Sequence, residues 1–224
     1  MSFGDKKLSE IAVSVPGSTS LLREYDLDFC CGGSDTLANA AAEKGLNLAE
    51  IETRLTELQN SKAENPEEYW VNATYPEIID HILVRYHQRH REQLQELIVL
   101  ADRVESVHGD REDCPIGVAA ELRNVYEDLS NHMMKEEHVL FPMIKAGNYM
   151  MAQMPIRMME MEHAEHGEHL EVLKSLTNNM TPPADACNTW LALYSGIQEF
   201  IDDLMMHIHR ENNILFPRVI AENH

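Results

Sequence analysis

Aromatic residues are scarce, at 6% of 224 residues with only two tryptophans, and basic residues number 18 against 38 acidic ones. The resulting formal charge of -20 argues against partners that need a positive face. Phosphate backbones and anionic lipid would be repelled, whereas a cation would be attracted. No run approaches the roughly 20 apolar residues that a membrane helix needs, and the opening MSFGDKKLSEIAVSV lacks the apolar core and cleavage site of a signal peptide. These absences lead to the expectation of a cytoplasmic protein with no nucleic-acid and no membrane partner. There are only four cysteines, and in a reducing compartment they are thiols rather than structural disulfides. Cys114 and Cys187 stand apart from the others and read as small apolar filler, while Cys30 and Cys31 are adjacent.

What the chain does have is helical periodicity, 12 histidines and 13 methionines, and 44% hydrophobic content, enough to bury a real core. Short helical pieces fill the first part: Leu8–Val15, Ser18–Tyr25, a helix capped by Asp35, and Leu48–Leu58. A polar stretch follows, and then four long helical patterns with no convincing strand. The first opens at a capping box, Thr74 with Glu77, and runs to about Gly109. The second lies between Gly117 and Gly147, the third opens at Pro155 and ends near Asn178, and the fourth runs from about Asp185 to Ala221. The expected fold is all-α: an antiparallel four-helix up-down bundle over residues 74–224, preceded by a small helical domain over 1–60 and a linker over 61–73.

An internal repeat carries the chemistry. HMMKEEHVLFP at His132–Pro142 and HIHRENNILFP at His207–Pro217 share the pattern H-x3-E-x3-L-F-P. His132 with Glu136 and His207 with Glu211 are each spaced i, i+4, so each pair shares one helical face and can reach one point. Neither residue type packs well in a core without a partner. Two such pairs on the second and fourth helices, diagonal in an up-down bundle, suit two metals. Pro142 and Pro217 are expected to kink or end the helix beyond each pair. The first and third helices should supply the remaining ligands from His81, His87, His90 and from His163, His166, His169. Periodicity leaves that choice open, since several members of each cluster share an apolar stripe.

The segments YDLDFCCGG, IIDHILVRYHQRHREQL, HMMKEEHVLFPMIK, MEMEHAEHGE and DDLMMHIHRENNILFPR are spread from Tyr25 to Arg218 and carry a resemblance that extends over nearly the whole chain. They resemble the repair-of-iron-centres family, whose bundle is similar to hemerythrin. The resemblance implies six metal ligands: His87, His132, Glu136, His163, His207 and Glu211. It also implies two non-haem iron ions with carboxylate or oxo bridges. Imidazole with carboxylate suits iron, and three imidazoles or fewer per metal leave open positions. The resemblance further gives Cys30 and Cys31 a part in passing iron, NO or electrons, although two adjacent thiols do not by themselves complete a four-coordinate site. It places Glu162, and Asp128 one turn before His132, along a polar path toward the metals.

The function expected is repair of iron-sulfur clusters damaged by nitrosative or oxidative stress, by supplying iron. Damaged iron-sulfur proteins are then the clients and NO or O2 the small ligands, and a second copy of the chain, in a homodimer, is counted among the partners. The alternatives are a di-iron enzyme reducing NO or peroxide, and a sensor or carrier of NO or oxygen.

Overall fold

The computed structural model describes residues 2–61 and 64–222. Among them the fold is all-α, with a single isolated β-bridge between Lys7 and Thr36. Packing divides the chain into two compact units, Ile79–Met205 and Met1–Ile78 with Met206–His224. Among the described residues no helix is long and apolar enough to cross a membrane.

Ile79–Met205 is built from four helical stretches. The first passes through a π-helical turn, Ile82–His87, into Gln88–His108. The second is Val118–Lys135, continued by the π-turn Glu136–Leu140 and by Phe141–Lys145. The third is Tyr149–Leu176, and the fourth starts at Asn188. Their directions can be read from the side-chain pairs. Asp102, Gln95 and Arg91 of the first helix meet Arg123, Tyr126 and Glu137 of the second, so one number falls as the other rises. Glu121 and Lys135 of the second meet His169 and Glu162 of the third. Arg85, Arg89 and Gln93 meet Asp203, Glu199 and Gly196 of the fourth. Each adjacent pair is therefore antiparallel, as short connections require.

The faces turned inward recur every three or four residues: Leu94, Leu97, Ala101 and Val104; Leu122, Val125 and Leu129; Ile156, Met159, Leu170 and Leu173; Leu193, Ile197 and Phe200, all buried. Each large apolar side chain so placed contributes roughly 1.5–3 kcal/mol. Gly196 lets two helices approach, because a Cβ there would lie 2.7 Å from the Leu97 side chain. The connections turn at Gly117 (φ 101°) and Gly147 (φ 76°), where a left-handed backbone favours glycine.

The other unit holds the helices Leu8–Ser14, Ser18–Glu24, Leu37–Glu43, Leu48–Asn60 and Pro66–Asn72, and in the last part of the chain a π-turn, Glu211–Leu215, followed by Phe216–Ala221. Leu8–Ser14 packs on the π-turn, and Leu8, Ile11, Leu22, Leu27, Phe29, Leu37, Ile51 and Leu55 are buried. Glu67, in the stretch expected to be a linker, is buried against Arg210. The capping box forms: Thr74 N donates to Glu77 Oε2 at 2.8 Å, and Glu77 N to Thr74 Oγ1 at 3.4 Å.

Three local expectations are corrected. Pro155 lies inside the third helix, which starts six residues earlier at Tyr149 because the left-handed Gly147 already ends the preceding element. Thr36, not Asp35, caps Leu37–Glu43, its side chain accepting from Asn39 N, while Asp35 Oδ1 accepts from Thr36 N. Pro142 and Pro217 do not end their helices. Each follows a π-turn and sits in the first turn of the helical segment that continues it, where a missing N–H is tolerated.

Candidate metal centre

Four of the expected ligands lie in the unit Ile79–Met205, and all four are buried: His87, His132, Glu136 and His163. His87 closes the first π-turn and Glu136 opens the second, one helical turn after His132. The Nδ1 of His87 lies 2.8 Å from Glu137 Oε1, which also accepts from Arg91 at 2.7 Å. The Nδ1 of His132 lies 2.9 Å from Glu162 Oε2, and Lys135 Nζ donates to the other oxygen at 2.6 Å. Both carboxyl groups are held at about 2, chiefly by the bond to the imidazole and further by Arg91 or Lys135, against a burial effect that raises them. An ionised carboxylate at Nδ1 fixes the tautomer with the proton there and leaves the Nε2 lone pair for a cation.

Those Nε2 atoms converge. Glu136 Oε2 is 3.3 Å from His87 Nε2 and 3.4 Å from His132 Nε2, and His163 Nε2 is 3.0 Å from His132 Nε2. Nitrogen lone pairs this close repel unless a proton or a cation draws them together. In the other unit the second repeat sets His207 Nε2 3.2 Å from Glu211 Oε1, both buried.

Within Ile79–Met205, His132, Glu136 and His163 bring one ligand atom each within 4.8 Å of one another, and Glu136 comes as close to His87. Glu136 thus faces histidines of more than one helix, and in the other unit Glu211 faces His207. The donors are imidazole and carboxylate without thiolate, which fits iron, manganese or zinc. Burying carboxylates without a countercharge costs several kcal/mol each, so the donor set calls for cations.

The hemerythrin HHE cation binding domain matches residues 78–219, and a domain of unknown function, DUF542, matches residues 4–59. A probable iron-sulfur cluster repair protein of Haemophilus influenzae is 69% identical over 222 residues, which are 99% of this chain and 100% of that protein. The iron-sulfur cluster repair proteins YtfE of Musicola paradisiaca and Citrobacter koseri are each 55% identical, over 98% and 99% of both chains respectively. The chain belongs to this iron-sulfur cluster repair family. Its bundle is a hemerythrin-type cation-binding domain.

His90, His166 and His169 of this chain have other surroundings. His90 is buried against Tyr86 and Phe200, and His166 packs edge-on to His132 at 4.8 Å. Neither belongs to a ligand set. Asp128 faces His169 at 3.0 Å. Glu162 touches a ligand directly, and Glu137 does the same for His87. Glu137 escaped sequence reasoning, its only signal being its place beside Glu136 in a turn that also faces the first helix.

Cys30 and Cys31 lie in the unit of the short helices, in a loop gathered around Asp28. Its Oδ1 accepts from Cys30 N at 3.0 Å and Cys31 N at 2.9 Å, and its Oδ2 accepts from Gly32 N at 2.9 Å. Gly33 is needed there, because a Cβ would fall 2.5 Å from Phe29 O. Asn212 Nδ2 donates to Cys30 O at 3.0 Å and Asn213 Nδ2 to Phe29 O at 2.8 Å. These asparagines directly follow Glu211, and they too escaped sequence reasoning. The Cys30 thiol is pushed well up by its hydrogen bond with Cys31, by burial and by Asp28.

Proposed function

We propose that this protein repairs iron-sulfur clusters damaged by nitrosative or oxidative stress in the cytoplasm, and that it does so by holding two iron ions and giving iron up to its clients. The reading is carried by one observation: buried Glu136 stands between His87 on one side and His132 with His163 on the other. A carboxylate shared between histidines of different helices suits a pair of irons in a helical bundle. The names of the close relatives support repair as the purpose.

In this reading His87, His132, Glu136, His163, His207 and Glu211 would hold the two ions, with Glu136 and Glu211 as the shared carboxylates. Bound iron would supply Lewis acidity, a one-electron couple and the cargo itself. Six protein donors for two ions would leave positions for small ligands such as NO or O2. Glu137 and Glu162 keep His87 and His132 in the tautomer that offers Nε2. Because Glu136 faces histidines on two sides, a change in that carboxylate would loosen the hold on both ions, a property suited to a donor rather than a store. Glu162 sits at the edge of a surface cleft of about 210 Å³ with Asp128, Asn131, Lys135, Glu165 and His166, a polar approach to His132. Cys30 and Cys31 take part in passing iron or NO onward.

The test mixes the iron-loaded protein anaerobically with an iron-sulfur enzyme inactivated by NO and follows both recovered activity and iron transferred. Recovery in step with iron transfer supports donation. Catalytic consumption of NO or peroxide over many turnovers, with no iron delivered, would replace it with the reductase reading.

A further inference from the structure

We infer that Asp28, Cys30 and Cys31 form a cation site of their own, separate from the bundle ligands, which takes a single thiophilic divalent ion. It deepens the part proposed above for the two cysteines and rests on that reading only for the origin of the ion.

The three side chains bring one ligand atom each within 4.8 Å of one another. Their spacing is that of a tetrahedral ion. Metal–sulfur bonds of about 2.3 Å at a tetrahedral angle separate two sulfurs by about 3.8 Å, and the Cys30 and Cys31 sulfurs are 3.8 Å apart. A carboxylate oxygen at about 2.0 Å would lie about 3.5 Å from each sulfur, and Asp28 Oδ1 is 3.2 Å from the Cys30 sulfur. Binding therefore calls for a shift of a few tenths of an ångström, not a new loop conformation.

The loop is held in advance. Three backbone N–H groups fix the Asp28 carboxylate, and Asn212 and Asn213 fasten the carbonyls of Cys30 and Phe29. Gly32 admits this arrangement because a Cβ there would stand only 3.2 Å from Asp28 Oδ2. Cys30 is buried, whereas Asp28 is exposed and Cys31 half-buried, so the fourth position faces solvent. Three protein ligands with one open position make a site for exchange, not a closed structural one. As an ion binds, each thiol releases its proton to solvent.

The test is a titration of the full-length protein with cobalt(II), read by the thiolate-to-cobalt charge-transfer absorbance, to which the imidazole and carboxylate donors of the bundle do not contribute. The expected result is a band that saturates at one cobalt per chain for this signal. Asp28→Asn should weaken the affinity at least about tenfold, and Cys30→Ser with Cys31→Ser should abolish the band although Cys114 and Cys187 remain. Cys31→Ser keeps the backbone bonds to Asp28 and should lose most of the absorbance, which separates a lost ligand from a disturbed loop. Absence of the band in the wild type, its survival in the double variant, or an Asp28→Asn titration like the wild type's would overturn the site. A protein that restores a damaged cluster yet gives no band would overturn this inference and leave the repair reading standing.

Discussion

Replacing Glu136 by Leu tests the shared-carboxylate reading most sharply, because it predicts both a stoichiometry and a change in stability. Glu136 faces His87 as well as His132 and His163, so it is the proposed donor common to both sets, whereas His87 and His163 each belong to one. Removing the glutamate takes a proposed donor from both ions, and removing either histidine takes one from a single ion. Metal content should then fall from about two per chain in the wild type to about one in His87→Leu or His163→Leu, and below one in Glu136→Leu. His90→Leu and His166→Leu, at buried histidines outside both sets, should stay near the wild type.

Stability follows from metal binding. Glu136 is 0% exposed and stands 3.3 Å from His87 and 3.4 Å from His132. With metal at a thousandfold excess over Kd, the wild type gains about 4 kcal/mol from each ion it binds, and Glu136→Leu, which holds less metal, should melt below it by a margin that shrinks when a chelator is added. Elemental analysis and scanning calorimetry, each with and without chelator, read both effects. Two metals retained by Glu136→Leu, or a margin that the chelator leaves unchanged, would refute the reasoning.

Glu137→Gln and Glu162→Gln should each weaken metal binding by about 10–100-fold without removing a ligand, since they release His87 and His132 from the preferred tautomer; competition with a coloured chelator measures it. Cys30→Ser with Cys31→Ser should leave the bundle's metal content and spectrum unchanged while slowing recovery of an NO-damaged iron-sulfur enzyme, and recovery at the wild-type rate would return the pair to apolar filler. Glu67→Ala should cost about 3–5 kcal/mol in urea denaturation, because it strands Arg210 as a buried charge; a loss under 1 kcal/mol would show that solvent reaches the guanidinium.

The two H-x3-E pairs were legible because spacing alone puts both side chains on one face, and repetition makes the pattern hard to attribute to packing. The four long helices were legible for the related reason that their apolar residues keep a helical period over many turns. The choice of His87 over His90 was not, since the two lie three residues apart on the same apolar stripe. What separates them is tertiary: Glu137 stands 2.8 Å from one ring, while Tyr86 and Phe200 flank the other. Pro155 misled because proline favours a helix's first turn, a preference that loses here to the stronger stop at Gly147. Pro66–Asn72 was hidden by its polar composition, although Asn65 accepts from Glu67 N as a cap and Pro66 opens the first turn.

The least legible feature is the one that joins fold to chemistry. The three π-turns at Ile82–His87, Glu136–Leu140 and Glu211–Leu215 each contain a proposed metal ligand. Their widened hydrogen bonds run from Gln88 N to Leu83 O, from Phe141 N to Glu136 O and from Phe216 N to Glu211 O, five residues back in every case. The extra residue sets Phe141 one π-turn beyond Glu136, where it stacks on the His87 ring at 5.8 Å. It also lets Glu136 and its neighbour Glu137 both address His87, one at Nε2 and the other at Nδ1. The next residue in both repeats is a proline, which has no N–H to give. A carbonyl upstream is thus left without a backbone donor where the helix returns from five-residue to four-residue bonding. The repeated Leu-Phe-Pro is then as much a part of the proposed metal-binding pattern as the His and Glu before it, and the first π-turn, which has no proline after it, left no comparable trace in the sequence.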